Sequence, residues 1–300
     1  MRQCGGSNWS ARILVRRGPV DRGEAEGHGT VTRIRARRGW VVVDLRELWD
    51  YRELLFFLVW RDLKVRYKRT IVGAAWAIIQ PVMAMVVFSV FFGRLAQMPS
   101  DDLPYPLFAF AALVPWTYFA NALNASTNSV IEHRHMISKV YFPRVFLPAA
   151  SVAGGLVDLG IALAVLVMMM AAFRVVPSTA ILALPLFVLL AVACALAVGL
   201  WFSALNVLFR DVRYAVPFLI QFWLFASPVA YSSSLVPEEW RAVYGLNPMT
   251  GVIDGVRWSV LGAGHPPGPA IGVSVFVVLL LLISGLVFFR TVERRFADVA

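Results

Sequence analysis

The stretch RDLKVRYKRTIVGAAW, residues 61–76, combines a dense basic cluster with the start of an apolar run. Five basic residues fall within its first nine positions: Arg61, Lys64, Arg66, Lys68 and Arg69. No ionisable side chain follows between Thr70 and Gly93. Lys and Arg directly beside an apolar segment are typical of the cytoplasmic end of a membrane helix. The stretch therefore predicts a membrane protein whose first span begins near residue 71.

The composition agrees with this prediction. The chain has 300 residues, 59% of them hydrophobic and only 15% charged, with mean hydropathy +0.69, whereas soluble domains carry about 25% charged residues. The net charge of +10 does not indicate nucleic-acid binding, because 16 of the 28 Lys and Arg lie in residues 1–70, beside the predicted membrane surface. We expect an all-α polytopic membrane protein.

Two segments precede the first span. Residues 1–38 are rich in Gly and Arg, which indicates a mobile cytoplasmic tail or an upstream extension that is not translated. Residues 39–69 are predicted to form an amphipathic interface helix that Asp44 could cap. Its apolar positions recur at steps of three and four: Leu45, Leu48, Trp49, Leu55, Phe56, Val59, Trp60 and Leu63. The predicted headgroup contacts are Trp60, Arg61, Lys64, Arg66, Tyr67, Lys68 and Arg69.

Six spans are predicted in a transmembrane domain covering residues 70–300. They lie at about 71–93, 107–128, 147–172, 180–205, 214–234 and 270–289. With the N-terminus inside, the cytoplasmic segments hold 24 of the 28 basic residues. The outer loops keep Arg94, Arg174, Arg241 and Arg257. The start of the chain, MRQCGGSNWSARILVRR, has no apolar signal-peptide core. We therefore expect the first span to direct insertion and both termini to be cytoplasmic.

Residues 238–262 are too polar to span and too apolar for an ordinary loop. Two short helices broken at Asn247-Pro248 fit them. They either re-enter the outer leaflet and return, or lie flat on the outer surface.

The sequence offers no catalytic site. It lacks a GxxxxGK[ST] phosphate loop, so this chain is not expected to bind ATP in that way. His133 and His135, with Glu132, are too few for a zinc site. The Asp101-Asp102 pair is best explained as a solvated turn. Cys4 and Cys194 are expected to be free thiols, and no metal site is predicted.

Asp158 lies in the middle of the third predicted span. A carboxylate at that depth is costly unless it is paired or hydrated. It either faces a polar pathway or is a structural acid packed by Gly154 and Gly155.

Aromatic side chains are dense in the first and fifth predicted spans. They stack well on sugar rings, but lipid contact or core packing is the better explanation of these positions taken alone. Trp76, Phe88 and Phe92 lie in the first of these spans, and Phe218, Phe222 and Trp223 lie in the fifth.

The opening stretch resembles the N-terminal region of ABC-2 type permeases that export polysaccharides. The matching residues are Arg61, Asp62, Leu63, Lys64, Arg66, Tyr67, Gly73, Trp76 and Pro81, with Val72 where Leu is usual. Three further segments also match: VYFPRVFLPAA at 140–150, LNVLFRDVRYAVPFLIQFWLFASPV at 205–229 and GLNPMTGVIDGVRWSVLG at 245–262. The resemblance runs from about residue 40 to the end.

This resemblance implies a homodimer bound to two separate ATPase subunits, which would hold the ATP and Mg²⁺. The first and fifth spans would line a channel. The candidates for its wall are Trp76, Phe88, Phe92, Phe218, Phe222, Trp223 and Asp158. The cargo would be a lipid-diphosphate-linked glycan, such as O-antigen, capsule or a teichoic-acid-like polymer, moved across the bacterial inner membrane. The residues expected to contact the ATPase are Glu132, His133, Arg134, Met136, Lys139, Phe142, Arg210 and Asp211. The basic cluster is a candidate for attracting the diphosphate.

Two other functions are alternatives to glycan export. An ABC-2 permease for a small lipophilic compound would share the fold. A membrane-embedded transferase acting on lipid-linked sugar would need acidic metal-binding motifs, whereas the predicted cytoplasmic loops between spans carry only Glu132 and Asp211 as acids.

Overall fold

The computed structural model describes residues 49–68, 75–137, 139, 142–263 and 268–293. Within these ranges the secondary structure is entirely helical. The first five α-helices are α1 (Arg52–Lys68), α2 (Trp76–Phe88), α3 (Tyr105–Glu132), α4 (Arg134–Ile137) and α5 (Phe146–Phe173). The others are α6 (Leu184–Leu208), α7 (Val212–Ala226), α8 (Glu238–Tyr244), α9 (Pro248–Leu261) and α10 (Pro269–Glu293). The predicted tail at 1–38, and Asp44, Leu45, Leu48 and Arg69, lie outside the described residues.

Several helices are long and apolar enough to cross a membrane. In the described part of the chain there are five: Trp76–Leu95, Tyr105–Glu132, Phe146–Phe173, Thr179–Leu208 and Ala270–Glu293. The first continues α2 through a π-helical segment, Ser89–Leu95, and the fourth begins with a 3₁₀ turn, Thr179–Ala183. The chain is therefore a multi-pass membrane protein. The count of six spans stays a prediction, because the sixth candidate is shorter than expected.

That shorter helix is α7. It has 15 residues and ends at Ala226 instead of near 234, so it is about 22 Å long against a hydrocarbon core of about 30 Å. The end has a local cause. Ser227 is extended, with φ −108° and ψ 153°, as a residue before proline prefers, and Pro228 has no N–H to continue the ladder.

The centre of the described bundle is α3. It packs against α2, α5, α6, α7 and α9, and most of its length is buried. Close approach to α6 requires a small residue, because a Cβ on Gly199 would overlap Ser126. Small residues at such contacts let helices of membrane proteins pack closely without polar groups in lipid. Cys194, which also lies on α6, is fully buried.

The interface helix α1 differs from the prediction. Its packed side carries Leu58, which is fully buried among Phe146, Leu147 and other residues at the N-terminal end of α5. Phe56 and Trp60, assigned to the apolar face, are 72% and 52% exposed. Aromatic and basic side chains thus share the outward side of α1, and a helix with one apolar and one polar face is not confirmed. The reason is that α1 packs against protein on one side, which a periodicity argument does not include.

The segment after α7 forms two helices, α8 and α9, and the chain breaks between them where predicted. Asn247 caps α9, since its Oδ1 accepts a hydrogen bond from Met249 N at 3.1 Å. Nearly all of α9 is buried against α3, α6 and α10, and a Cβ on Gly255 would overlap Phe187. A helix lying flat on a surface would expose one side along its length, and α9 does not.

Candidate functional site

A cavity of about 440 Å³ with both polar and apolar walls lies between α2, α3 and α5. We call it the amide cleft. Thr117, Asn121, Asn124 and Asn128 line it from α3, and Gln80 lines it from α2. The four α3 positions are spaced by four, three and four residues, so they share one face of the helix. These side chains form a continuous polar stripe along one face of α3, exposed at Asn121 and partly buried at the other three positions.

One end of the amide cleft is lined by Asp158 and α1. The Asp158 carboxylate accepts hydrogen bonds from Arg66 Nη1 and from the Tyr67 hydroxyl, each at 2.5 Å. Burial, and then the hydrogen bond to Asp158, raise the pKa of Tyr67 to about 12, so the phenol keeps its proton and acts as the donor. The acid in the third span is thus ion-paired, and its partner comes from the interface helix.

A second cavity of about 330 Å³ adjoins the first. The two share Arg66 and Ala125 in their walls. Asp62, Glu132 and Ser151 also line the second cavity. The basic stretch of α1 therefore lies over a polar crevice that leads from the end of α3 toward the amide cleft.

Arg61 joins α1 to the turn after α3. Its guanidinium donates to Asp62 at 2.9 Å, contacts the Sδ of Met136 at 3.9 Å and lies against Nε2 of His133. Arginine only donates hydrogen bonds, so Nε2 must accept, which places the proton of neutral His133 on Nδ1. That nitrogen lies 2.8 Å from the carbonyl of Ser129. Two segments assigned separately from sequence, the interface helix and the coupling turn, are one connected unit.

The other predicted coupling residues fall into two groups. Phe142 is 4% exposed and belongs to the core beneath α1, so it anchors the turn. The exposed members are Glu132, Arg134, Lys139, Arg210 and Asp211. Arg210 and Asp211 immediately precede α7.

At the other end of α7, Arg257 of α9 holds the chain that follows the helix. It is 3% exposed and donates to the carbonyls of Pro228 at 2.6 Å and Val229 at 2.9 Å. Longer bonds reach Tyr231 at 3.4 Å and Phe108 at 3.3 Å. The sequence placed Arg257 in an outer loop, whereas the structure buries it. Its guanidinium acts as a clamp, since it donates to the backbone carbonyls of the chain that follows α7.

Asn247 completes this clamp. Its Oδ1 accepts from Trp223 Nε1 at 2.8 Å, and its Nδ2 donates to the carbonyl of Ala226 at 3.1 Å and to Ser227 Oγ at 3.0 Å. The last turn of α7 is therefore tied to the start of α9 by a single amide side chain.

The aromatic candidates occupy different environments. Phe88 is 9% exposed and packs edge-to-face on Phe92, with ring centroids 5.3 Å apart. Trp223 is partly buried and packs edge-to-face on Phe119 at 5.1 Å. Outward-facing rings are Trp76, which lines the amide cleft, and the neighbouring pair Phe218 and Phe222.

Comparison with known proteins shows which family the chain resembles. Residues 53–261 match the family described as ABC-2 type transporter. The chain belongs to the ABC-2 type transporter family. A relative of this ABC-2 chain, the O-antigen export system permease protein RfbA of Myxococcus xanthus, is 28% identical over 257 residues, covering 85% of this chain and 98% of the relative. A protein of the same name from Klebsiella pneumoniae is 28% identical over 249 residues, which is 82% of this chain and 95% of the relative. The polysialic acid transport protein KpsM of Escherichia coli is 21% identical over 235 residues, covering 78% and 91%.

Within this ABC-2 chain, sequence reasoning missed two sets of residues. The amide stripe on α3 has a detectable signal, the spacing of Asn121, Asn124 and Asn128 within an otherwise apolar segment. Arg257 has no such signal, because its hydrogen-bond partners are backbone carbonyls. Asn247 was predicted as a break between two helices, but its bonds to the last turn of α7 were not. The family match also agrees with a transport subunit instead of an enzyme.

Proposed function

We propose that this chain is the permease subunit of an ABC exporter that moves a lipid-linked surface polysaccharide across the bacterial inner membrane. The observation that carries the proposal is the match to three named polysaccharide export proteins, two for O-antigen and one for polysialic acid, over at least 91% of each relative. The polar crevice beside α1 supports it, because a glycan needs polar surface within the membrane.

In this proposal ATP hydrolysis occurs on a separate ATPase, present in two copies with its own ATP and Mg²⁺. The docking surface would be the unit formed by α1 and the turn after α3. Arg61 and His133 connect the two parts of that unit, and exposed Glu132, Arg134 and Lys139 surround it. A displacement of this turn would pass to α1 and to the spans as rigid-body tilting. Both termini would then be cytoplasmic.

A second copy of the chain would complete the channel. The outward side of α7 exposes Phe218 by 63% and Phe222 by 66%, so neither ring is used to pack this chain and both are available to a second copy or to the channel. We assign them to the homodimer interface or to the channel wall. The two helices α8 and α9 would be the re-entrant segment near the exit, and α7 with the segment after it would serve as the sixth crossing.

The lipid diphosphate of the cargo would approach the basic end of α1. Lys68 is exposed there, and Arg66 lies at the junction of the two cavities. Long-range attraction by such charges raises the local concentration of an anionic headgroup. Neutralising Lys68 together with Arg69 should weaken binding of the carrier lipid without lowering expression or ATPase association. Unchanged carrier binding would disprove this role.

The function itself is tested by deleting the gene and locating the carrier-bound glycan. Full-length polymer trapped at the cytoplasmic face, with none at the surface, is the expected result. A plasmid with the wild-type chain should restore surface polymer, while the same plasmid with an inactive partner ATPase should not. Normal surface glycan in the deletion strain would refute the proposal.

One observation favours a second candidate, a permease for a small lipophilic compound. An almost wholly apolar cavity of about 410 Å³ lies between α3, α6 and α7, lined by Leu123, Phe202, Val216, Leu219, Ile220, Phe222, Trp223 and Ala226. Its volume falls within the range of about 300–1,000 Å³ typical of small-molecule sites. Normal surface glycan combined with new sensitivity to lipophilic toxins in the deletion strain would select this candidate.

A further inference from the structure

We propose that the amide cleft is a binding site for uncharged, hydroxyl-rich ligands, and specifically for a sugar unit of the exported glycan. This inference rests on the proposed function and adds a site to it. The proposed site is formed by the side-chain amides of Gln80, Asn121 and Asn124, which line the cleft from the candidate spans that contain α2 and α3. Gln80 and Asn121 are exposed, and Asn124 is partly buried.

The unused hydrogen-bonding capacity of these amides is the first argument. In the described part of the chain, no residue forms a hydrogen bond with the side-chain amides of Gln80, Asn121 or Asn124. The side chain of Asn128 donates to the backbone carbonyl of Asn124 at 3.0 Å, which leaves the Asn124 side chain unused. Each free amide carries two donors and an acceptor with two lone pairs. Facing lipid, such groups would cost several kcal/mol each. They are stable only if water or a polar ligand occupies the cleft.

The chemical class of the ligand follows from the charges. Among the described residues of the wall, Arg66 and Asp158 are the ionised ones, and they neutralise each other at 2.5 Å. Side-chain amides both donate and accept hydrogen bonds, as hydroxyl groups do, so the two pair well. Because the site has no net charge, it favours neither an anion nor a cation. Apolar surfaces beside the amides, from Trp76 and Leu159, suit the C–H faces of a sugar ring.

Size and position also fit. A cavity of about 440 Å³ lies within the usual range of small-molecule sites, about 300–1,000 Å³. It adjoins the second cavity beneath α1 through Arg66 and Ala125. A glycan that has passed α1 would therefore meet the amide cleft next.

Thiol labelling tests whether the cleft is wet and whether glycan fills it. Asn121→Cys and Asn124→Cys are made in a Cys4→Ser background, leaving the fully buried Cys194. The matched control is Val157→Cys, adjacent to Asp158 on α5 but 42% exposed outside the cleft. Membranes holding the full transporter are treated with an uncharged, water-soluble maleimide. We expect both cleft cysteines to react several-fold faster than the Val157 control.

The same labelling is then repeated in membranes loaded with the lipid-linked glycan while hydrolysis is blocked. Labelling of the cleft cysteines should slow several-fold, and that of the control should not change. Cleft labelling no faster than the control, or labelling that the glycan leaves unchanged, would overturn the proposal.

Export gives an independent readout. The double variant Asn121→Leu with Asn124→Leu should lower the rate of export about tenfold, the effect of losing two ordinary hydrogen bonds, at an unchanged level of assembled transporter. Replacing both by Ser, which keeps hydroxyl partners, should restore most of the export. Export by the Leu variant at the wild-type rate would reject the site. Failure of the proposed function is distinguishable, since it would appear as normal surface glycan in the deletion strain.

Discussion

Arg66 and Asp158 form an ion pair, 2.5 Å between Nη1 and Oδ2, that links the interface helix to the interior of the third span. The two residues are 92 positions apart in sequence. Asp158 is 19% exposed and Arg66 40% exposed, so the pair is only partly buried. The carboxylate that looked isolated in the sequence is the point at which α1 is fastened to the spans.

A double-mutant cycle should detect this link. Arg66→Gln, Asp158→Asn and their combination should show a coupling of about 1 kcal/mol in the free energy of unfolding, kept small because solvent partly screens the pair. Thermal or denaturant unfolding of the detergent-solubilised protein measures it. Additive effects of the two substitutions would show that the pair contributes nothing to stability.

Arg257→Lys should be strongly destabilising although it keeps the charge. An ammonium group cannot reproduce the planar fork that serves the carbonyls of Pro228 and Val229. Leaving buried carbonyls unpaired should cost about 3 kcal/mol, measured as a lower unfolding temperature and reduced yield. Arg94→Lys, at an exposed position, is the control, and equal stability of the two variants would contradict the clamp.

Two phenylalanines from the channel candidates should behave in opposite ways. Phe88→Ala removes a ring that is 9% exposed and should cost about 3 kcal/mol of folding stability. Phe222→Ala removes a ring that is 66% exposed, so stability should stay within about 0.5 kcal/mol of the wild type while export falls. Measuring stability and surface glycan for both variants separates packing from function. A Phe222→Ala variant that exports normally would remove this residue from the channel.

Arg61→Met should uncouple hydrolysis from export. The substitution breaks the contacts to Asp62 and His133, so movement of the turn after α3 would no longer reach α1. In reconstituted transporter we expect ATP hydrolysis to continue while glycan moved per ATP falls several-fold. Glu53→Gln, an exposed change in the first turn of the same helix, should leave the ratio unchanged. An unaltered ratio in Arg61→Met would argue against transmission through this contact.

Hydropathy and charge were enough to predict a polytopic helical protein, because long apolar segments such as α10 and the basic stretch before α2 are local signals. The break at Asn247 was also predictable, since Asn caps helices and Pro248 begins one. The end of α7 at Ala226 had a local signal in Pro228, which the prediction of a span to 234 did not use. The burial of Arg257 and the partner of Asp158 had none, because both depend on contacts between distant segments, and a search for a basic partner within the spans could not find one that lies on α1.

The fixed end of α7 has a mechanical consequence. Arg257 and Asn247 hold the segment around Ser227, whereas the opposite end begins at exposed Arg210 and Asp211. A stiff rod held at one end and pushed at the other rotates about the held end, so its free end travels farthest. The short helix would therefore act as a lever whose fulcrum lies at Ser227, and its aromatic side would sweep outward most at Tyr214 and least at Phe225.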